Sequence, residues 1–128
     1  MQMPIVTRES LQLMLDEADE IKRAHIIGRA LVILFNRQTE DEKAKDSTEN
    51  LNSVGFSGAD ARVGCLTAKS YLAHKREAIR TNTSPLQPWQ IEKWFTKGSN
   101  GYSRICKYAR QLNEAAEAKA QALTTETK

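Results

Sequence analysis

The residues best suited to meeting something outside the protein lie between positions 86 and 112. This stretch carries Trp89 and Trp94, Tyr102 and Tyr108, Cys106, and the cations Lys93, Lys97, Arg104, Lys107 and Arg110. Cationic side chains interleaved with aromatic rings are what contact with a nucleic acid requires: the charges meet phosphates, and the rings offer faces to bases. The same inspection argues against an enzyme. Catalysis needs a nucleophile beside a base, paired carboxylates or a set of metal ligands. His25 and His74 stand alone, Cys65 and Cys106 belong to no CxxC or Cys/His cluster, and no glycine-rich phosphate loop is present. No metal, cofactor or small-molecule substrate is therefore expected.

Charge is unevenly spread along the chain. Residues 1–50 hold seven Lys/Arg against ten Asp/Glu, whereas residues 61–111 hold ten Lys/Arg against only Glu77 and Glu92. Such an asymmetry marks either an anion-binding face or two halves that attract one another within the fold. At 128 residues, 40% hydrophobic and 27% charged, the sequence has the composition of one globular domain spanning 1–128, with loose termini near 1–6 and 124–128. The longest apolar run, 30–35, is far short of the roughly 20 residues that cross a bilayer. The charged, amphipathic N-terminal stretch is unlike a secretory signal, so a cytoplasmic protein with reduced thiols and no membrane partner is expected.

The elements that must position these residues are helical, and apolar spacing predicts an all-α, compact bundle of about five helices: 8–20, 24–45, 58–76, 88–96 and 102–122. Thr7 suits the first N-cap, and Leu11, Met14, Leu15 and Ala18 make a single stripe. The second helix is apolar on most sides, which predicts a central position, with Gly28 admitting a close neighbour. A bend between the two is expected near 20–24. Residues 46–57 read as a loop. Ser57 followed by Asp60 reads as a capping box for the third helix, with Phe56 as a staple against Ala61. That helix repeats small residues at Ala61, Gly64, Cys65 and Ala68, as close helix packing requires. Residues 80–84 read as an exposed loop. Pro88 opens the fourth helix, Asn100 and Gly101 turn the chain, and Ile105, Tyr108, Ala109, Leu112 and Ala116 stripe the fifth.

Asn52, Gly55 and Phe56, Asp60 and Ala61, followed by Leu86, Pro88, Gln90, Lys107 and Tyr108, and Gln111 and Leu112, resemble a short helical module of plasmid and bacteriophage proteins. That module occurs as small proteins of uncharacterised function and as an appendage of DNA-processing enzymes. The resemblance spans roughly residues 31–112 and implies a mobile-element origin rather than an activity. The chain departs from it at Gln87, where a Thr or Ser cap is usual, and in the additional polar segment 77–84.

Nucleic-acid binding follows as the leading expectation, with Arg62, Lys69, Trp89, Lys93, Lys97, Tyr102, Arg104, Lys107 and Arg110 as the candidate contacts. One arrangement is a helix-turn-helix whose second helix shows Ser103, Arg104, Lys107 and Arg110 to duplex DNA. Another is a single-strand surface with Trp89 and Tyr102 as stacking rings. The alternative class is a protein-protein interaction module that binds a host protein or a second copy of itself, with exposed aromatics as anchors. The nucleic-acid readings require cations from the third and fifth helices to gather on a common side.

Overall fold

The computed structural model describes residues 6–45, 56–57 and 60–126; most of the loop expected at 46–57, including Asn52 and Gly55, lies outside them, as do 1–5 and 127–128. The fold is all-α. Five α-helices, α1 (Arg8–Glu17), α2 (Glu20–Lys45), α3 (Ala61–Thr81), α4 (Pro88–Phe95) and α5 (Ala109–Glu126), are joined by a 3₁₀ turn, Arg104–Tyr108, that leads into α5.

The central position of α2 follows from its sequence, since a helix apolar on most sides must be enclosed on most sides. It touches each of the other four helices. Ala24, Ile27, Leu31 and Leu34 have no solvent exposure, and burying each of the larger ones contributes about 1.5–3 kcal/mol. Its tightest contact is with α3. A Cβ at Gly28 would sit 2.2 Å from Cδ1 of Tyr71, so only glycine lets that ring lie flat on the α2 backbone. Gly64 plays the same part for Phe56, whose ring would be 2.5 Å from an added Cβ. Phe56 is thus buried against Gly64, Trp94 and Tyr108.

Several boundaries differ from those expected, each for a local reason. Thr7 caps α1 as expected, its Oγ1 accepting the Ser10 N–H at 3.0 Å while the Ser10 hydroxyl accepts the Thr7 N–H at 2.9 Å. The break after α1 falls at Ala18 and Asp19, earlier than 20–24, because Asp19 caps α2: its carboxylate accepts the Lys22 N–H at 2.7 Å. Arg23 reaches back to the open end of α1 and donates to the carbonyls of Leu15 and Ala18 at 2.9 and 3.0 Å. Those are among the orphan acceptors every helix leaves at its C-terminus. Helix α3 begins at Ala61 rather than 58 and runs five residues past 76. The extension includes the exposed Arg80–Glu77 ion pair and ends at Asn82, whose φ of 55° is the left-handed conformation common after a helix. Arg80 and Thr81 therefore form the last helical turn, not a loop. The fifth helix is divided, with residues 102–108 leaving α-geometry before α5 starts at Ala109. No helix among the described residues is long and apolar enough to cross a membrane.

Candidate anion-binding cleft

The cleft is built by α4, the turn after it, the 3₁₀ turn and the start of α1. Pro88 sets the first turn of α4, and the Gln90 side chain accepts the Gln87 N–H at 2.9 Å, so the cap works from the third helical residue where a Thr or Ser was missing. Ile91 and Trp94 bury the inner face of α4, leaving Lys93 on the other. After Phe95 the chain turns through a short bridge between Lys97 and Ser103. Gly101 supplies the positive φ of 84°, and the Asn100 side chain accepts the Tyr102 N–H at 3.0 Å.

Ser103 is the pivot. It is 2% exposed, its N–H donates to Gln12 Oε1 at 2.6 Å, and its hydroxyl donates to the Phe95 carbonyl at 2.5 Å. Gln12 Nε2 returns a hydrogen bond to the Ser103 hydroxyl at 3.0 Å, which fixes α1 against the turn. A residue held this way cannot touch a DNA groove. The next residues continue inward as a 3₁₀ turn, with Ile105, Cys106 and Tyr108 all buried. Among the described residues, the start of the expected second helix of a helix-turn-helix is thus a buried Ser103 followed by a 3₁₀ turn, with α-geometry beginning only at Ala109.

Asp60 organises the cleft from below. It precedes α3, yet its carboxylate caps no backbone N–H; instead it turns inward and has no solvent exposure. Arg104 donates through Nε at 2.8 Å and also through Nη2, Lys107 Nζ lies at 2.6 Å, and the Tyr108 hydroxyl donates at 2.6 Å. Burial would push the Asp60 carboxyl up, but the hydrogen bonds from Lys107, Tyr108 and Arg104 outweigh it and bring it down to about 2. Burial first, and then the bond to Asp60, push the Tyr108 phenol up. The two cations keep 38% and 43% of their side-chain surface exposed. They are thus tethered at a carboxylate while still facing solvent, a preorganised pair of donors.

Above this pair lies a cleft of about 280 Å³ whose wall includes Arg8, Lys93, Lys97, Tyr102, Arg104 and Lys107, with Thr96 and the turn residues 98 and 100. The acidic half of the chain reaches its rim. Lys97 Nζ is 3.7 Å from Asp16, and the Tyr102 hydroxyl donates to Glu9 at 3.0 Å. That bond, through the phenol proton, raises the Tyr102 pKa. Five cations thus face one concavity, partly offset by Asp60 beneath and by Asp16 and Glu9 at the edge. The unequal halves of the sequence do attract one another here, and cationic charge remains in excess.

Of the nine expected contacts, Lys93, Lys97, Tyr102, Arg104 and Lys107 line this cleft. The other four do not. Arg62 is exposed on α3, Lys69 lies 5.7 Å over the ring of Phe35, Trp89 is 57% exposed outside the cleft wall, and Arg110 sits 3.9 Å from Glu114 on α5. The expected gathering of cations from the third and fifth helices is thus replaced by one from α1, α4 and the 3₁₀ turn. Two residues escaped the sequence reading. Arg8 belongs to the acidic half, so nothing in local charge distinguishes it. Asp60 has the spacing of a capping residue, but Arg104, Lys107 and Tyr108 at i, i+3 and i+4 already converge on one point and mark a missing anion.

Among the described residues no group of three or more His, Cys, Asp or Glu is placed to hold a metal ion. Cys106 is buried, its thiol 3.5 Å from Gln12 Oε1, and burial pushes its pKa up. Comparison of the chain with models of known protein families, with curated proteins and with solved structures gave no match.

Proposed function

We propose that this chain is a non-enzymatic nucleic-acid-binding protein, an accessory factor of a mobile element, that takes phosphates of a flexible strand into the cleft above Asp60. The carrying observation is the convergence of Arg8, Lys93, Lys97, Arg104 and Lys107 on one concave wall. Concavity favours a single strand over a duplex. A backbone without a partner strand can bend a phosphate into a pocket, whereas duplex readout needs a protruding element that fits a groove. Tyr102 lies in the wall as a ring for a neighbouring base. Arginine tethered through Nε and one Nη retains N–H groups for a second acceptor, and Lys107 retains donors in the same way.

The test is anisotropy of labelled single-stranded and duplex oligonucleotides across a salt series. Five cations offset by Asp60, Asp16 and Glu9 leave a net of two to neutralise phosphates. For a single strand the slope of log K against log salt is then about −1.4. Duplex binding stronger than single-strand binding, or affinity indifferent to salt, rules this reading out.

A further inference from the structure

A second groove, of about 600 Å³, runs between the first half of α2 and the last half of α3 and shares no residue with the cleft above Asp60. Lys22, His25 and Arg29, spaced i, i+3 and i+7, face it from α2, and Lys75 faces it from α3. None of these three permanent cations has an ion-pair partner among the described residues. The sole carboxylate in the wall, Asp19, is already engaged with the Lys22 N–H at 2.7 Å. Uncompensated like charges around one concavity repel each other and contribute nothing to packing. Beside them the wall is apolar, with Ala78 and with Ile79 left 66% exposed. His25 completes it: Nδ1 is held 3.0 Å from the Tyr71 hydroxyl, which fixes the ring and leaves Nε2 for a ligand.

We infer that this groove binds a small phosphorylated organic anion of mononucleotide size, with its phosphate among Lys22, Arg29 and Lys75 and its apolar body on Ile79. The volume lies within the roughly 300–1,000 Å³ of small-molecule sites, and a mostly apolar wall with a few convergent polar groups is the usual composition of one.

The experiment titrates the isotope-labelled full chain with adenosine monophosphate, inorganic phosphate and adenosine at low salt, following backbone amides and the His25 ring. Saturable shifts at Lys22, His25, Arg29 and Lys75 are expected with the monophosphate, which binds at least about tenfold tighter than either fragment. Arg29→Glu and Lys75→Glu each weaken it by about tenfold, while Lys93→Glu, in the other cleft, leaves it unchanged. Both substituted side chains are exposed, and helical circular dichroism checks that each variant is folded. Absence of saturation, equal binding of bare phosphate, or shifts centred on Arg104 and Lys107 overturns the inference. Oligonucleotide binding at the other cleft is measured separately, so either reading can fail alone.

Discussion

Replacing Asp60 by asparagine removes one charge and almost no volume, which isolates the electrostatic part of the anchor. The carboxyl falls from 3.8 to about 2 in the folded chain. A drop of nearly two units, at about 1.4 kcal/mol each, corresponds to about 2 kcal/mol of folding stability held by the ionised form. The sign is that of a depressed carboxylate. The contribution is fully present above the unfolded value near 4 and is lost as pH falls through the folded value near 2. Asp60→Asn is therefore expected to be about 2 kcal/mol less stable than the parent at neutral pH, lowering Tm by about 7 °C for a chain of this length. The gap should close as the parent carboxyl protonates, because a neutral Asp60 and an asparagine present nearly the same surface to Arg104, Lys107 and Tyr108. Chemical denaturation of both proteins between pH 7 and pH 2 measures it. A difference below about 0.5 kcal/mol at pH 7, or a gap that stays constant down to pH 2, would falsify the assignment of Asp60 as a buried, ion-paired carboxylate.

Two further predictions concern the scaffold. Gly28→Ala places a methyl group inside the ring of Tyr71, and the overpacking cost of about 1–3 kcal/mol exceeds the roughly 1 kcal/mol that alanine gains in a helix interior; urea unfolding that finds the variant more stable contradicts this contact. Gln12→Ala strips the buried Ser103 N–H of its acceptor and costs about 1–3 kcal/mol. The same variant should speed hydrogen exchange at the Ser103 amide, and unchanged protection there rejects the pivot.

How much of this could be read from residues alone differs from element to element. The helical class was legible because the stripes of α2 and α5 follow from local sequence, as do the Thr7 cap and the close approach at Gly28; on α1 Leu11, Leu15 and Ala18 turn inward as expected, whereas Met14 is 51% exposed. The α1–α2 break was misplaced because Asp19 sits in an acidic run, and a capping aspartate there looks like any solvated one. The 3₁₀ turn was invisible because its cause is tertiary: Ser103 is captured by Gln12, some ninety positions away. The site was half legible for the same reason. Lys93, Lys97, Tyr102, Arg104 and Lys107 were found by local composition, whereas Arg8 and Asp60 join them only through folding. Arg62, Lys69, Trp89 and Arg110 carried the same composition but face elsewhere.

The most direct measurement of the central claim compares the parent with a Lys93→Glu, Lys97→Glu double variant in single-strand binding across the salt series. Neither side chain serves the buried Asp60 network, Lys97 pairs with the exposed Asp16, and helical circular dichroism checks that the fold is kept while the wall of the cleft changes sign. The expected result is affinity lowered by more than about tenfold at low salt and a slope flattened towards zero. Binding as tight and as salt-sensitive as the parent's would mean that the strand lies elsewhere on the surface.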